Sequence, residues 1–488
     1  MDYFKRTLEN AIRRLAASFP VVMVTGPRQV GKTTLLRNCD PNRRYVSLDR
    51  LELRALAQEN PDLFLQRFPP PVFIDEVHHA PQLLPYIKSV VDESHERGAF
   101  WLSGSQQFRL MKGVSESLAG RVGVLQLQGF SLNETAGAPD IEKFVPTTEW
   151  IEKRASVVDG MEYGSIFHRI WRGNYPALYE NPLMDWEDFY SSYVQTYVER
   201  DVRELINIGD ELAFTKFITA IASRTGQLLN YSDVAKDIGK NVPTVQRWLS
   251  LLIASGLVYL LYPYAQSIGN RMTKMPKVYF LDTGLACYLT RWTSPEVLES
   301  GAKSGEMLET FVVSELLKTY WHNGRQPNFS FYRDKEKREI DLIVEDAGKL
   351  CPVEIKQTSN PTRKDVRHFD ILEENGMDVG CGAVICLAKT HLPLTDKVNI
   401  LPLAYLLKIC LFQAISIVNL REDAGRVCCR KRDVCRQLDD DWLQHAAEQQ
   451  LQLYGSNSNQ YAGFGWSSGN RRLECNQQSK AQRLRSQF

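Results

Sequence analysis

The sequence predicts an α/β protein: a parallel sheet packed with helices over residues 1–135, a helical stretch, a three-helix module and a second α/β domain ending near residue 408. Three observations predict it. A valine-rich run at residues 19–25 leads straight into a glycine-bounded loop, the pattern of a buried parallel strand. Two more apolar runs, residues 71–75 and 99–105, follow it. After Glu134 that pattern stops and helical spacing takes over.

At about 150 residues per domain, 488 residues make roughly three domains. The 43% hydrophobic and 24% charged composition excludes wholesale disorder, collagen and a small disulfide-stapled scaffold. Lys plus Arg is 59 and Asp plus Glu is 58, so there is no chain-wide basic field, and a local patch stays open. The first 15 residues, with Lys5, Arg6, Arg13 and Arg14, lack an apolar signal core. A cytoplasmic protein with reduced thiols is therefore expected. Cys428, Cys429 and Cys435 fit no standard zinc spacing. The apolar run at 401–420 is interrupted by Pro402, Lys408, Gln413 and Asn419, so it reads as a buried strand and helix, and no membrane association is expected.

The loop after the first strand is Gly26, Pro27, Arg28, Gln29, Val30, Gly31, Lys32, Thr33, Thr34, which fits G-x-x-x-x-G-K-[ST] at every fixed position. Glycines let backbone N–H groups turn onto a phosphate. Lys32 would reach the β- and γ-phosphates, Thr33 would ligate Mg²⁺, and the helix from Lys32 aims its N-terminus at the same anion. The run at 71–75 ends in Asp75 and Glu76. Asp75 suits the magnesium shell and Glu76 the attacking water, which points to a hydrolase. Ser103 and Ser105 end the third run beside the acidic strand; Ser105 is the preferred γ-phosphate sensor, with a helix-capping role as the alternative. Arg121 reads either as a finger reaching a neighbouring subunit's phosphate, which would require a homo-oligomer, or as a surface ion pair. His78 and His79 read as a helix start without a metal.

The stretches GPRQVGKTTLL, FIDEVHHAPQLLPYIKSVVD, WLSGSQQF and ESLAGRV with LQGFSLNE resemble, in order and spacing, the prokaryotic AAA-type ATPases whose C-terminal domain is restriction-endonuclease-like. The resemblance spans residues 1–408. It implies an AAA-type P-loop sheet, ATP as the nucleotide, a helical lid at 136–210 and the nuclease-like fold at 266–408. His78 departs from the glutamine that members often carry at that position.

In the middle, residues 148–158 and 186–206 carry helical spacing, with Val194, Tyr197, Val198, Asp201, Val202 and Leu205 as one stripe. Residues 168–180, HRIWRGNYPALYE, are expected to pack the linker against the core. Over 211–265 the pattern is helix (214–223), helix (230–239, capped by Ser232), turn (241–244), helix (245–255) and strand (256–262), a winged-helix order. Its third helix would offer Thr244, Gln246 and Arg247 to DNA, while Trp248, Leu249 and Leu252 are core; a protein-contact role is the alternative.

The C-terminal domain presents a helix at 305–318, then strands at 328–333, 339–344 and 350–356. Asp341 precedes Glu354 by 13 positions on a neighbouring hairpin strand, and Glu354 and Lys356 share a face. Two carboxylates and a lysine can hold Mg²⁺ or Mn²⁺ for phosphodiester attack, with Glu309 completing the metal shell. This resembles the D…(D/E)-x-K core of restriction endonucleases; a salt-bridged strand face is the alternative. Residues 409–488, rich in Gln, Asn, Ser and Arg, read as mostly disordered.

The expected function is Mg²⁺-dependent ATP hydrolysis coupled to conformational change, acting on nucleic acid through the winged helix and the nuclease-like domain. Alternatives are an ATP-gated, protein-binding switch whose nuclease-like domain cuts nothing and, more weakly, a signalling NTPase in a defence or toxin-like system.

Overall fold

Helix α1 (Leu8–Ala16) leads into β1 (Val21–Thr25), whose residues are all buried, as a parallel strand covered on both faces requires. The computed structural model describes residues 3–104, 117–139, 142–155, 163–198, 211–265 and 274–406. Helix α2 (Lys32–Cys39) follows the loop, then β2 (Arg44–Ser47), α3 (Leu51–Glu59), α4 (Pro61–Arg67), β3 (Val72–Asp75), α5 (Leu83–Ser94), β4 (Phe100–Gly104) and β5 (Val122–Gln126). The five strands are parallel in the order β2-β3-β4-β1-β5. Strand β4 therefore separates the loop strand from the acidic strand, and the C-terminal ends of all three open on one edge. Val22, Val24, Phe73 and Trp101 pack into one core, and Val21, Met23, Val72 and Ile74 into the other, the alternation of strands covered on both faces.

A capping box of Ser131 and Glu134 closes α6 (Leu132–Thr135). Helices α7 (Thr148–Ala155), α8 (Tyr163–Arg172), α9 (Ala177–Glu180) and α10 (Trp186–Tyr193), with a π-helical turn over Val194–Val198, lie within the expected helical stretch. Trp171 stacks on Trp186 with ring centroids 4.3 Å apart, and Tyr175 meets the rings of Phe189, Tyr190 and Tyr193, so the 168–180 segment does pack into the core. Asp201, Val202 and Leu205 of the expected stripe lie outside the described residues, and so does Ser105.

The middle module comprises α11 (Glu211–Ala222), β6 (Gln227–Leu228), α12 (Tyr231–Ile238), α13 (Val242–Ala254), β7 (Val258–Leu261) and β8 (Lys277–Phe280), with an antiparallel sheet in the order β6-β8-β7. Three sequence expectations are corrected. Asn230, not Ser232, caps α12, accepting the Ser232 N–H at 2.9 Å. The expected turn at 241–244 is the first turn of α13: Asn241 caps it by accepting the Thr244 N–H, and Pro243 falls where a missing N–H costs nothing. The boundary after residue 265 cuts a sheet, because β8 pairs with β6 and β7.

After α14 (Thr283–Leu289) and α15 (Pro295–Glu299), the long α16 (Ser304–Trp321) is buried on nearly every side. Strands β9 (Phe329–Arg333), β10 (Glu339–Asp346) and β11 (Lys349–Lys356) form antiparallel hairpins. Helix α17 (Asp370–Glu374), β12 (Gly382–Cys386), β13 (Leu392–Pro393) and β14 (Val398–Pro402) complete a sheet ordered β13-β14-β12-β11-β10-β9. The Phe331 N–H donates to the Tyr262 carbonyl (3.2 Å) and the Tyr264 N–H to the Phe331 carbonyl (2.6 Å), which ties the middle module to β9. The apolar run at 401–420 begins in β14 and a 3-10 turn, Leu403–Leu406; its remainder and the 409–488 tail lie outside the described residues. Among the described residues no helix is long and apolar enough to cross a membrane.

Candidate functional site

The loop geometry follows from its glycines. Gly26 has φ +144°, and a Cβ there would lie 2.0 Å from the Leu127 carbonyl oxygen, so only glycine fits. Gln29 (φ 61°) and Gly31 (φ 89°) also turn left-handed, wrapping the loop around the N-terminus of α2. Val30 is buried and anchors the loop. The ammonium of Lys32 donates to the carbonyls of Gly26 (3.0 Å) and Pro27 (2.7 Å), spanning the loop a phosphate would fill. Thr33 Oγ1 donates to Asp75 Oδ2 at 2.8 Å, so the two residues expected to share Mg²⁺ already meet. Exposed Thr34 accepts the Asn38 side-chain amide through its carbonyl.

Asp75 is held from three sides. Ser103 Oγ donates to Oδ1, and Tyr45 OH donates to Oδ2 at 3.0 Å beside Thr33. Burial pushes the Asp75 carboxyl up, and the hydrogen bonds from Ser103 and Thr33 pull against it. Ser103 is thus the serine seen at the acidic strand. Tyr45 was not legible, because its reach depends on β2 pairing with β3.

Glu76 adopts φ 54°, rare for a residue with a side chain. Its Oε2 lies 3.0 Å from His78 Nδ1. Burial alone would raise its pKa, but His78, Lys32 and Arg28 together hold it at about 2. So ionised a carboxylate is a weak proton acceptor; it suits orienting and polarising a water. His78 and His79 form a separate 3-10 turn, Val77–His79, rather than the start of α5, and His78 has this contact where the sequence suggested no role.

Arg121 forks onto Asp92 of α5, with Nη2 2.9 Å from Oδ2. It precedes β5 at the sheet end opposite the loop, so within this chain the surface ion pair is what is seen.

A buried network that the sequence did not reveal supports the loop from below. Arg6 donates to the carbonyls of Val30 (2.9 Å) and Gln128 (2.7 Å), and its Nε lies 3.1 Å from Glu134 Oε2. Glu134 also accepts the Thr7 N–H at 2.9 Å and faces His322 Nδ1 at 3.2 Å. The Gln128 N–H donates to His322 Nε2 at 3.2 Å, which places the imidazole proton on Nδ1, toward Glu134. His322 follows α16, so the C-terminal domain reaches the floor of the phosphate loop.

The second set also assembles. Lys356 Nζ lies 2.6 Å from Glu354 Oε1 and 3.6 Å from Asp341 Oδ2, and the Ile355 N–H donates to Asp341. Glu309, on α16, accepts Tyr279 OH at 2.6 Å and Lys277 Nζ at 3.1 Å. Lys277 also lies 2.7 Å from Glu339 and 3.9 Å from Asp341. Lys277 and Glu339 were missed; the one available signal was the shared face of Lys277 and Tyr279 on β8. Among the described residues no group of three or more His, Cys, Asp or Glu side chains is arranged to hold a metal ion.

Burial, reinforced by the charge of Asp341, pushes the Glu309 and Glu354 carboxyls above the usual range. The native state then binds protons that the unfolded chain has released. Its contribution to stability is full below about pH 4.3, the unfolded value, and is lost as pH rises through the native values. The melting temperature is expected to fall from mildly acidic toward mildly alkaline pH, with a shallower fall for Glu354→Gln. An unchanged slope in that variant would place the effect elsewhere.

Comparison with known proteins agrees with the geometry of the first site. Residues 18–136 match a family model described as an AAA domain. Residues 164–296 and 304–406 match models described as domains of unknown function, DUF8612 and DUF4143. The chain is 28% identical over 407 residues to uncharacterized protein Rv2008c of Mycobacterium tuberculosis, covering 82% of this chain and 83% of that protein. Uncharacterized protein Mb2031c of Mycobacterium bovis gives the same figures. Among solved structures, the Walker-type ATPase PABY2304 of Pyrococcus abyssi is 15% identical and covers 59% of this chain and 96% of that one, at a TM-score of 0.35. The replication initiator DnaA bound to AMPPCP and single-stranded DNA is 12% identical, covering 51% and 86%, at 0.25. Residues 18–136 thus match the AAA-domain model and carry, in the chain's own loop and strand order, the phosphate loop and parallel sheet of a P-loop fold.

Proposed function

We propose that the chain is a Mg²⁺-dependent ATP hydrolase whose nucleotide state alters how the middle module and the C-terminal domain engage nucleic acid. The observation that carries the hydrolytic part is the joined set Lys32, Thr33, Asp75 and Glu76: an ammonium across the phosphate loop, a hydroxyl–carboxylate pair poised for Mg²⁺, and an ionised glutamate beside them. ATP and Mg²⁺ are the ligands this set fits. Support for nucleic acid comes from the middle module. Its helix and strand order supports reading it as a winged helix, and Gln246 and Arg247 are exposed on α13 with Thr244 half-buried. The C-terminal domain, with α16 followed by the β9–β11 hairpins and Asp341, Glu354 and Lys356, is read as restriction-endonuclease-like. Arg121 as a finger to a second copy, and Ser105 as a sensor, belong to the same reading.

The second reading is the ATP-gated switch with a protein partner and a C-terminal domain that cuts nothing. Lys277 among the carboxylates favours it. Phosphate release with Mg²⁺-ATP, measured with and without double-stranded DNA, separates the two. The first reading expects DNA stimulation that Arg247→Glu abolishes while basal turnover stays. Turnover indifferent to DNA would transfer the assignment to the switch.

A further inference from the structure

We propose that Lys277 is a built-in cation standing in the divalent-metal position of the C-terminal carboxylate cluster, so that the domain is closed to metal as folded and takes one only when Lys277 is withdrawn. This rests on the reading of that domain as nuclease-like in fold.

A nuclease-like core implies a divalent cation held by Glu309, Asp341 and Glu354. These residues do not fit one in this arrangement. The Lys277 ammonium lies 3.1 Å from Glu309, 2.7 Å from Glu339 and 3.9 Å from Asp341, on the oxygens a metal would need. Oxygen ligands hold Mg²⁺ or Ca²⁺ at roughly 2.0–2.6 Å, which leaves no room for a second cation among them. The Lys277 side chain is 4% exposed, its charge balanced by this cluster. Tyr279 OH, two residues along β8, donates at 2.6 Å to the same Glu309 oxygen, Oε1, that Lys277 holds.

The charges that face the cluster support this reading. Four carboxylates, Glu309, Glu339, Asp341 and Glu354, meet Lys277, Lys356 and Arg333, the last on Glu339. Removing Lys277 leaves Glu309 with only the more distant charge of Lys356 and Asp341 with Lys356 alone, a deficit that a divalent cation answers. The source of the lysine also matters. The carboxylates belong to α16, β10 and β11, whereas Lys277 opens β8, a strand of the middle module's sheet. The lysine is thus delivered across the joint between module and domain, and parting the two would vacate the position.

The test is calorimetric titration of Mn²⁺ into the full chain, each protein carrying Asp75→Asn so that the phosphate-loop site contributes no cation. With Lys277 present, no cluster-dependent binding is expected. Lys277→Met is expected to gain one Mn²⁺ site, at least about tenfold tighter than any in its parent, which adding Asp341→Asn removes. Lys277→Gln, with its neutral head, should gain the same site and guards against misfolding of the methionine variant. A variant that melts higher with Mn²⁺, an increase lost with Asp341→Asn, is the same result read by stability. Mn²⁺ binding that needs Asp341 while Lys277 is in place would overturn the proposal and leave the nuclease-like reading standing. Folded Lys277 variants that gain no site would overturn both.

Discussion

Lys32→Ala is expected to lower ATP turnover by about 10²–10³, the loss typical of removing one preorganised electrostatic partner from a transition state, and to weaken nucleotide binding as well. The Lys32 ammonium is set across the loop by the carbonyls of Gly26 and Pro27, where a phosphate would lie. Glu76→Gln is expected to behave differently. Glutamine keeps the shape and the contact with His78 but loses the charge, so nucleotide should still bind while turnover falls. Fluorescent-nucleotide binding beside phosphate release separates the two variants. Turnover retained in Glu76→Gln would show that the glutamate does not orient the attacking water, and would turn attention to Ser103, whose hydroxyl bridges Asp75 and the Glu76 N–H.

What the sequence revealed tracks how local each feature is. The phosphate loop is nine consecutive residues, and its glycines, lysine and threonine are fixed by the ligand, so it reads without a fold. Asp341, Glu354 and Lys356 read because one hairpin brings them together and strand alternation settles the face. Lys277 did not, because it arrives from another sheet. Arg6, Glu134 and His322 did not either: the Thr7 N–H meets Glu134 across 127 residues, and Gln128 meets His322 across 194. No pattern within a window of one helix announces such a contact. The capping error has a smaller cause. Asn230 and Ser232 are both good caps, and what decides is the extended backbone at Asn230 (φ −93°, ψ 113°), which the sequence leaves open.

The largest effect on stability is expected from that long-range network. Glu134→Ala should cost about 3–5 kcal/mol, the range for breaking a buried pair from one side, since Arg6 would stay buried without its counter-charge. Glu134 is 0% exposed, and four groups converge on it: the Arg6 guanidinium, His322 and the N–H groups of Thr7 and Ser131. Burial alone would push its carboxyl up; Arg6, His322 and Ser131 together hold it below the usual range. A lowered native value contributes stability above the unfolded pKa, about 4.3, and loses it as pH falls through the native value. The deficit of Glu134→Ala should therefore be full at neutral pH and shrink in strong acid, where the wild type also gives up the charge. Thermal melts at both ends of that range check this, and a deficit constant with pH would mean that lost packing, not charge, is responsible. The pair also separates stability from function. Arg6→Met with Glu134→Leu removes both charges and is expected to recover part of the lost stability, the Thr7 and Ser131 N–H groups staying without their acceptor. It also removes the Arg6 donors to Val30 and Gln128, which brace the phosphate loop. If those donors position the loop, the double variant should melt above Glu134→Ala yet bind ATP more weakly than it; equal affinity in the two would reduce the network to a structural staple.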